Sequence, residues 1–150
     1  MTIRTLVPLL ATVAAGLQAG TYYVWACGVM PGMARTDDKT FVSALTHMNQ
    51  AIVNPVFMAT FVGTPLLAAA AVATGPNRPW LAAGLGLAVL TVVITGAANV
   101  PLNDALDQAA AHPAAAREAF ESTWVRWNVA RTVTSTGALA ALAWAALRAA

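Results

Sequence analysis

Long stretches without a single charge set the terms for this sequence. Leu6–Met30 has none over 25 residues, Ala51–Thr74 none over 24 and Trp80–Val100 none over 21. A fourth stretch, Trp124–Leu147, is charge-free from Thr132 onward, with Arg126 and Arg131 in its first turns. About 20 mostly apolar residues in a helix cross a hydrocarbon core roughly 30 Å thick, and lipid satisfies no backbone group left outside a helix or closed barrel. The stretches therefore predict four membrane-spanning helices: an all-α, multi-pass, antiparallel four-helix bundle, with residues 1–150 forming one transmembrane domain. Composition closes the other routes. Only 9% of the residues are charged and 59% are hydrophobic, against about 25% charged in a soluble domain. Soluble enzymes and disordered tails are excluded. A net charge of +2 without a basic run leaves no footprint for nucleic acid. The one cysteine, Cys27, cannot form an intrachain disulfide, and no Cys/His cluster has zinc spacing. Arg4 and Gln18-Ala19-Gly20 also fit a secretory leader, but the apolar run continues through Tyr22, Tyr23, Val24 and Trp25, which favours a first span.

Spans 2 and 3 are joined by Gly75-Pro76-Asn77-Arg78-Pro79, a tight turn. Pro31–Gln50 and Pro101–Thr123 are longer connections and fall together on the opposite side. The side with the termini and the short turn holds Arg4, Arg78 and Arg148 and no acid; the other 11 charges lie toward the long loops. Because cytoplasmic loops favour Lys and Arg, both termini are expected in the cytoplasm and the long loops outside. Each long loop is expected to carry a short interfacial helix. The first opens at Thr36-Asp37-Asp38-Lys39 with Phe41, Leu45 and Met48 on one face; the second starts at Asn103-Asp104, is interrupted by Pro113 and resumes over Ala114–Phe120. A weak internal repeat is visible. Val29-Met30-Pro31-Gly32, a helix and Asn54 lead into span 2, while Val100-Pro101-Leu102-Asn103, a helix and Asn128 lead into span 4.

Polar side chains in a bilayer usually face the bundle interior or a water-filled cavity, and here they gather at one depth. The inner halves, such as Leu66–Val72 and Ala138–Ala146, are small and aliphatic, whereas the outer halves carry Gln18, Tyr22, Asn54, Thr60, Thr95, Asn99, Asn128 and Arg131. That distribution predicts a pocket open to the outer face, not a channel, which needs polarity through the full thickness. Helical spacing groups the residues further. Trp124, Asn128, Arg131 and Ser135 share a face of span 4; Thr95, Asn99 and Asn103 align on span 3; Gln18, Tyr22 and Trp25 align on span 1. His47, Asn54 and Met58 align if one helix runs from the loop into span 2. Threonines such as Thr60, Thr64 and Thr91 also serve as interhelical hydrogen-bond glue, and Trp80, Trp124 and Trp127 fit an aromatic belt. Arg131, two turns inside its span, needs a partner: Asp104, which otherwise caps the short helix, or an anionic or phenolate-like ligand. His47 is the one side chain near the mouth with an unperturbed pKa near neutrality, which suits a general base or a single haem or metal ligand.

The chain resembles the anthrone-oxygenase-like family of small four-span membrane proteins. The likeness covers nearly the whole sequence and is carried by Val-Met-Pro-Gly at 29–32, Asn-Pro-Val-Phe at 54–57, Asn-Val-Pro-Leu-Asn-Asp at 99–104 and Trp-Val-Arg-Trp-Asn-Val-Ala-Arg at 124–131. It implies oxidation of a lipophilic tricyclic phenol/ketone, an anthrone, to an anthraquinone, with dioxygen as co-substrate. It also implies site roles for Asn99, Asn103, Asp104, Trp124, Trp127, Asn128 and Arg131, and for His47 by position. On this reading a flat substrate enters from the bilayer between Tyr22, Trp25, Trp124 and Trp127 and touches Asn54, Asn103 and Asp104. His47 removes a proton, and Arg131, Asn99 and Asn128 stabilise the resulting enolate. No cofactor is strictly required, and haem or a single metal on His47 is the alternative. Two other classes stay open: a non-enzymatic binder of a lipophilic ligand, quinone or haem, and a structural or homo-oligomeric subunit packed through glycines such as Gly84 and Gly86.

Overall fold

The computed structural model describes residues 2–148. They are all-α, with no strand among the described residues. Five helices follow in order: α1 (Ile3–Met33), α2 (Asp38–Ala51), α3 (Pro55–Thr74), α4 (Arg78–Gln108) and α5 (Pro113–Leu147). Three of them, α1, α3 and α4, are long and apolar enough to cross a membrane. The fourth stretch does not reach that measure, because Arg131, Thr132, Thr134, Ser135 and Thr136 dilute the apolar content of α5. Packing nevertheless treats α5 as a full partner. α1 packs on α3, α3 on α4, α4 on α5 and α5 on α1, closing a ring of four.

Two boundaries differ from the sequence expectation, for one reason. Proline lacks the N–H that a helix offers to the carbonyl four residues back, and its ring crowds that carbonyl. Helix continuity past Pro31 and Pro101 is kept by a widened π-turn just ahead of each, at Trp25–Val29 and Thr95–Asn99. Both helices thus run 31 residues, about 46 Å at 1.5 Å per residue, well beyond a hydrocarbon core. The second long loop consequently has no interfacial helix of its own. Its first part is the end of α4, and Pro113 does not interrupt a helix but opens α5 at a position where no N–H is needed. The first loop does carry a separate helix, α2. Asp37 caps it, accepting hydrogen bonds from the Thr40 hydroxyl at 2.6 Å and the Thr40 N–H at 3.0 Å.

The two ends of the ring are packed differently. One end gathers the start of α1, the α3–α4 turn and the end of α5: Asn77, in the left-handed conformation at φ 61°, donates to the Ala145 carbonyl at 3.3 Å, and Trp80 meets Trp144 edge-on at 6.3 Å. Its core is built from Ala11, Ala15, Ala68, Ala71 and Ala145 around Leu81 and Leu142. Alanine lets helix backbones approach closely. The opposite end is filled by large side chains, Met30, Phe41, Leu45, Leu106, Phe120 and Trp124, which hold α2 against α4 and α5. There Arg117 ties the α1–α2 turn to α5, bonding Glu121 at 2.7 Å, Asp38 at 3.1 Å and the carbonyls of Ala34 and Thr36 at 2.9 Å.

Gly84 is a close-approach position and Gly86 is not. A Cβ on Gly84 would stand 2.7 Å from Cγ of the fully buried Leu142, while one on Gly86 meets nothing within 4 Å. Gly84→Ala is expected to destabilise the fold by about 1–3 kcal/mol through overpacking. Gly86→Ala is expected to be neutral or to stabilise by up to about 1 kcal/mol; thermal unfolding in detergent checks both. The Thr40 hydroxyl, then the Thr40 N–H, hold the Asp37 carboxyl below its ordinary 3.8. A carboxyl lowered on folding contributes stability that is complete above its unfolded pKa and fades as pH falls through the lowered one. Wild-type stability should therefore lose the cap's share only below pH 3.8, a loss that Asp37→Asn, which caps without titrating, should not show in acid titrations of unfolding.

Candidate functional site

Between the alanine-packed end and the aromatic end lies a cavity of about 300 Å³. α1 supplies Tyr22 and Trp25, α2 Asn49, α3 Phe57 and Phe61, α4 Thr95 and Asn103, and α5 Trp124 and Arg131. Beyond it, toward the loops, lies a second space of about 490 Å³ lined by Thr46, Gln50, Asp104 and Asp107. The two share Asn49, Val53, Val100 and Asn103, so they read as an inner chamber and its vestibule.

Arg131 organises the inner chamber. It is 7% exposed, and among the described residues no carboxylate approaches within 4.0 Å. The expected alternative partner, Asp104, is instead an exposed residue within α4, neither paired with Arg131 nor capping a helix. The guanidinium lies over the Tyr22 ring at 4.7 Å and the Trp124 ring at 5.2 Å, and Nη2 donates to Asn128 Oδ1 at 2.9 Å. Its Nε has no hydrogen-bond partner. Asn128 is in turn fixed by donating to the Tyr22 carbonyl at 3.2 Å. Electrostatically the chamber holds one positive charge over two π faces.

The aromatic wall is held by polar contacts behind it. Trp124 Nε1 donates to Asn103 Oδ1 at 2.8 Å, and Trp124 packs against Trp25 at 5.4 Å and Phe120 at 5.8 Å. Asn99, at the end of the second π-turn, is fully buried and donates to the Trp124 carbonyl at 3.5 Å; it does not line the chamber. Tyr22 presents its buried ring to the chamber.

Of the residues singled out from sequence, the structure brings Tyr22, Trp25, Asn103, Trp124 and Arg131 to the chamber, Asn128 behind Arg131, and Asp104 to the vestibule. Asn99 stands behind Trp124, and three lie elsewhere. His47 is on the exposed face of α2, its Nδ1 2.6 Å from the Ser43 carbonyl, outside both spaces. Asn54 is not coaxial with it: the chain breaks at 52–54, and Asn54 caps α3 by accepting from the Val56 and Phe57 N–H groups at 3.0 and 3.1 Å. Trp127 is 43% exposed on the outer surface, as a belt residue would be. A metal or haem held by His47 would lie off the chamber, and among the described residues no three His, Cys, Asp or Glu side chains converge. Asn49 was missed. Its signal is the second stripe of α2, Thr46, Asn49 and Gln50 at helical spacing, beside the apolar stripe Phe41, Val42 and Leu45.

No curated protein and no solved structure matches the chain. The profile of a known family, anthrone oxygenase, matches residues 43–141, a stretch that includes the chamber residues of α2 to α5 and leaves out Tyr22 and Trp25 on α1. The chain belongs to the anthrone oxygenase family, whose name implies an oxidoreductase.

Proposed function

We propose that the chain is a four-span membrane oxygenase that oxidises a flat phenolic aromatic, an anthrone or close analogue, inside the chamber, with dioxygen as co-substrate. One observation carries this reading: a buried arginine with no resident carboxylate lines an aromatic-walled chamber. The volume of about 300 Å³ lies at the small end of ligand pockets, about 300–1,000 Å³, as suits three fused rings. α5 completes the bundle as the fourth span, its polar face turned inward: Asn128, Arg131 and Ser135 are buried while Val129 and Val133 are exposed. The arginines Arg4, Arg78 and Arg148 at the closed end favour that end as cytoplasmic and the vestibule as outside.

In this mechanism Tyr22, Trp25 and Trp124 hold the rings and exclude water, and Arg131 stands where the substrate's carbonyl oxygen becomes negative. The cation lowers the cost of removing the benzylic proton, which leaves through the vestibule to water; no step is assigned to His47, which lies off the chamber. The enolate's central carbon forms a C–O bond with dioxygen, and the peroxide anion takes a proton back from water. The hydroperoxide then loses its remaining C–H proton and hydroxide as water while the O–O bond breaks. One oxygen atom remains as the new ketone and the other leaves as water, so four electrons pass from the CH2 carbon to one dioxygen. Anthrone and dioxygen thus give anthraquinone and water without an outside reductant. Asn99 and Asn128 act as positioning residues, through Trp124 and Arg131.

Purified protein in lipid nanodiscs should convert an anthrone to the anthraquinone in air, followed by absorbance, and should show no Soret band. Arg131→Gln is expected to lower kcat/KM by about 100-fold or more, the usual cost of removing a group that stabilises a developing oxyanion, with Arg131→Lys retaining part. Unchanged turnover in Arg131→Gln would overturn the mechanism. His47→Ala should leave kcat/KM unchanged, whereas Val100→Trp, at the exposed junction of chamber and vestibule, should raise KM without unfolding the protein.

A further inference from the structure

The vestibule differs in charge from the chamber it opens into. In the chamber lining Arg131 is the one ionised side chain among the described residues. The vestibule is lined by Asp104 and Asp107, one turn apart on α4, with no Lys or Arg in its lining. Between them stands Asn49, which belongs to both spaces and whose buried Nδ2 has no hydrogen-bond partner; Thr46 Oγ1, beside it in the vestibule, is likewise buried and unpaired. From chamber to vestibule the site therefore offers three environments: a cation over aromatic faces, neutral groups without partners, and two carboxylates.

Resting on the function proposed above, we infer that the site sorts ligands by charge along their length. It takes an electron-rich or anionic oxygen at the inner end, hydrogen-bonds hydroxyl or carbonyl groups at the junction, and rejects a carboxylate at the mouth. A ligand long enough to fill the chamber places its far ring edge beside Asn49 and Asn103. A hydroxyl there meets the Asn49 amide; a carboxylate there meets the field of Asp104 and Asp107, strengthened by the apolar walls of Val53 and Val100. Rejection by like charge is a means of specificity separate from attraction at the other end. Carboxylated anthrones are thus discriminated against relative to neutral ones.

The test uses the full chain in nanodiscs of zwitterionic lipid, with quenching of tryptophan fluorescence as the readout. Two probes are compared: a dihydroxyanthraquinone and the same compound bearing a ring carboxylate. Wild type should bind the neutral probe at least about tenfold more tightly at low ionic strength, since like-charge contacts are costly, and the gap should narrow as salt screens the exposed carboxylates. The double variant Asp104→Asn, Asp107→Asn should tighten carboxylate binding by about tenfold and shift the neutral probe far less, which separates the site's preference from partitioning into lipid. Equal affinities in wild type, or a preference that survives the double variant, would overturn the inference while leaving the chamber as the binding site. If neither probe binds, the proposed function falls and this inference with it.

Discussion

Close approach of alanines at one end of the ring decides where everything else can go. In lipid there is no hydrophobic drive between helices, and association relies on close packing. Ala11, Ala15, Ala68, Ala71 and Ala145 provide it, with Leu81 and Leu142 filling the remaining space and Gly84 admitting Leu142. Outward, the same helices expose Leu9, Val13, Leu17, Val62, Leu66, Val89 and Val93, an apolar rim that suits acyl chains and not water. Once the backbones are drawn together at this end, larger side chains at the other hold them apart. The chamber lies between an alanine seam that closes and an aromatic cluster that props open.

The cost of Arg131 has to be met within that geometry. Removing a guanidinium from water costs several kcal/mol even after relaxation. Two ring faces return about 0.5–2 kcal/mol each, and the bond to Asn128 adds about 1.5–3. These terms are comparable with the cost and do not leave a surplus, and the Nε bond is still unmade. A resident carboxylate would have met the cost and also silenced the site. Without one, a ligand oxygen carrying partial negative charge gains more here than beside an arginine already paired. The chamber walls sharpen the effect, because Phe57, Phe61, Trp25 and Trp124 keep the local dielectric low.

Much of this was legible in the sequence, and the parts that were not have physical causes. The uncharged stretches and the concentration of polar groups at one depth indicated helices and a chamber on one side, since both follow from one-dimensional spacing. The faces bearing Trp124, Asn128 and Arg131, and Tyr22 and Trp25, were correct because each lies on one unbroken or gently widened helix. His47 and Asn54 fell off the chamber because their alignment assumed a helix continuous through 52–54. The Asn54-Pro55 pair starts a new one: the proline supplies no N–H, and the asparagine side chain caps the exposed ones. Pro31 and Pro101 misled in the other direction. Each looked like the end of a span, yet a π-turn absorbed it. Whether a proline ends a helix or follows a π-turn depends on tertiary support that spacing does not encode, here Met30 and Leu106 anchored in the aromatic cluster.

The weak repeat acquires meaning from these same breaks. In both halves a helix widens into a π-turn, passes a proline and leads to a second helical segment. After that the halves part. In the second half α5 runs unbroken from Pro113 to Leu147, so Arg117, Trp124 and Arg131 ride on one rigid rod and keep fixed separations. In the first half the chain breaks between α2 and α3, which frees α2 to lie across α4 and α5. That crossing brings Thr46, Asn49 and Gln50 over the opening instead of extending the axis of α3. A continuous helix in both halves would have given two walls and no roof over the vestibule. The asymmetry thus divides the work: the unbroken half holds the charge and the indole in register, and the broken half supplies the polar side chains at the mouth.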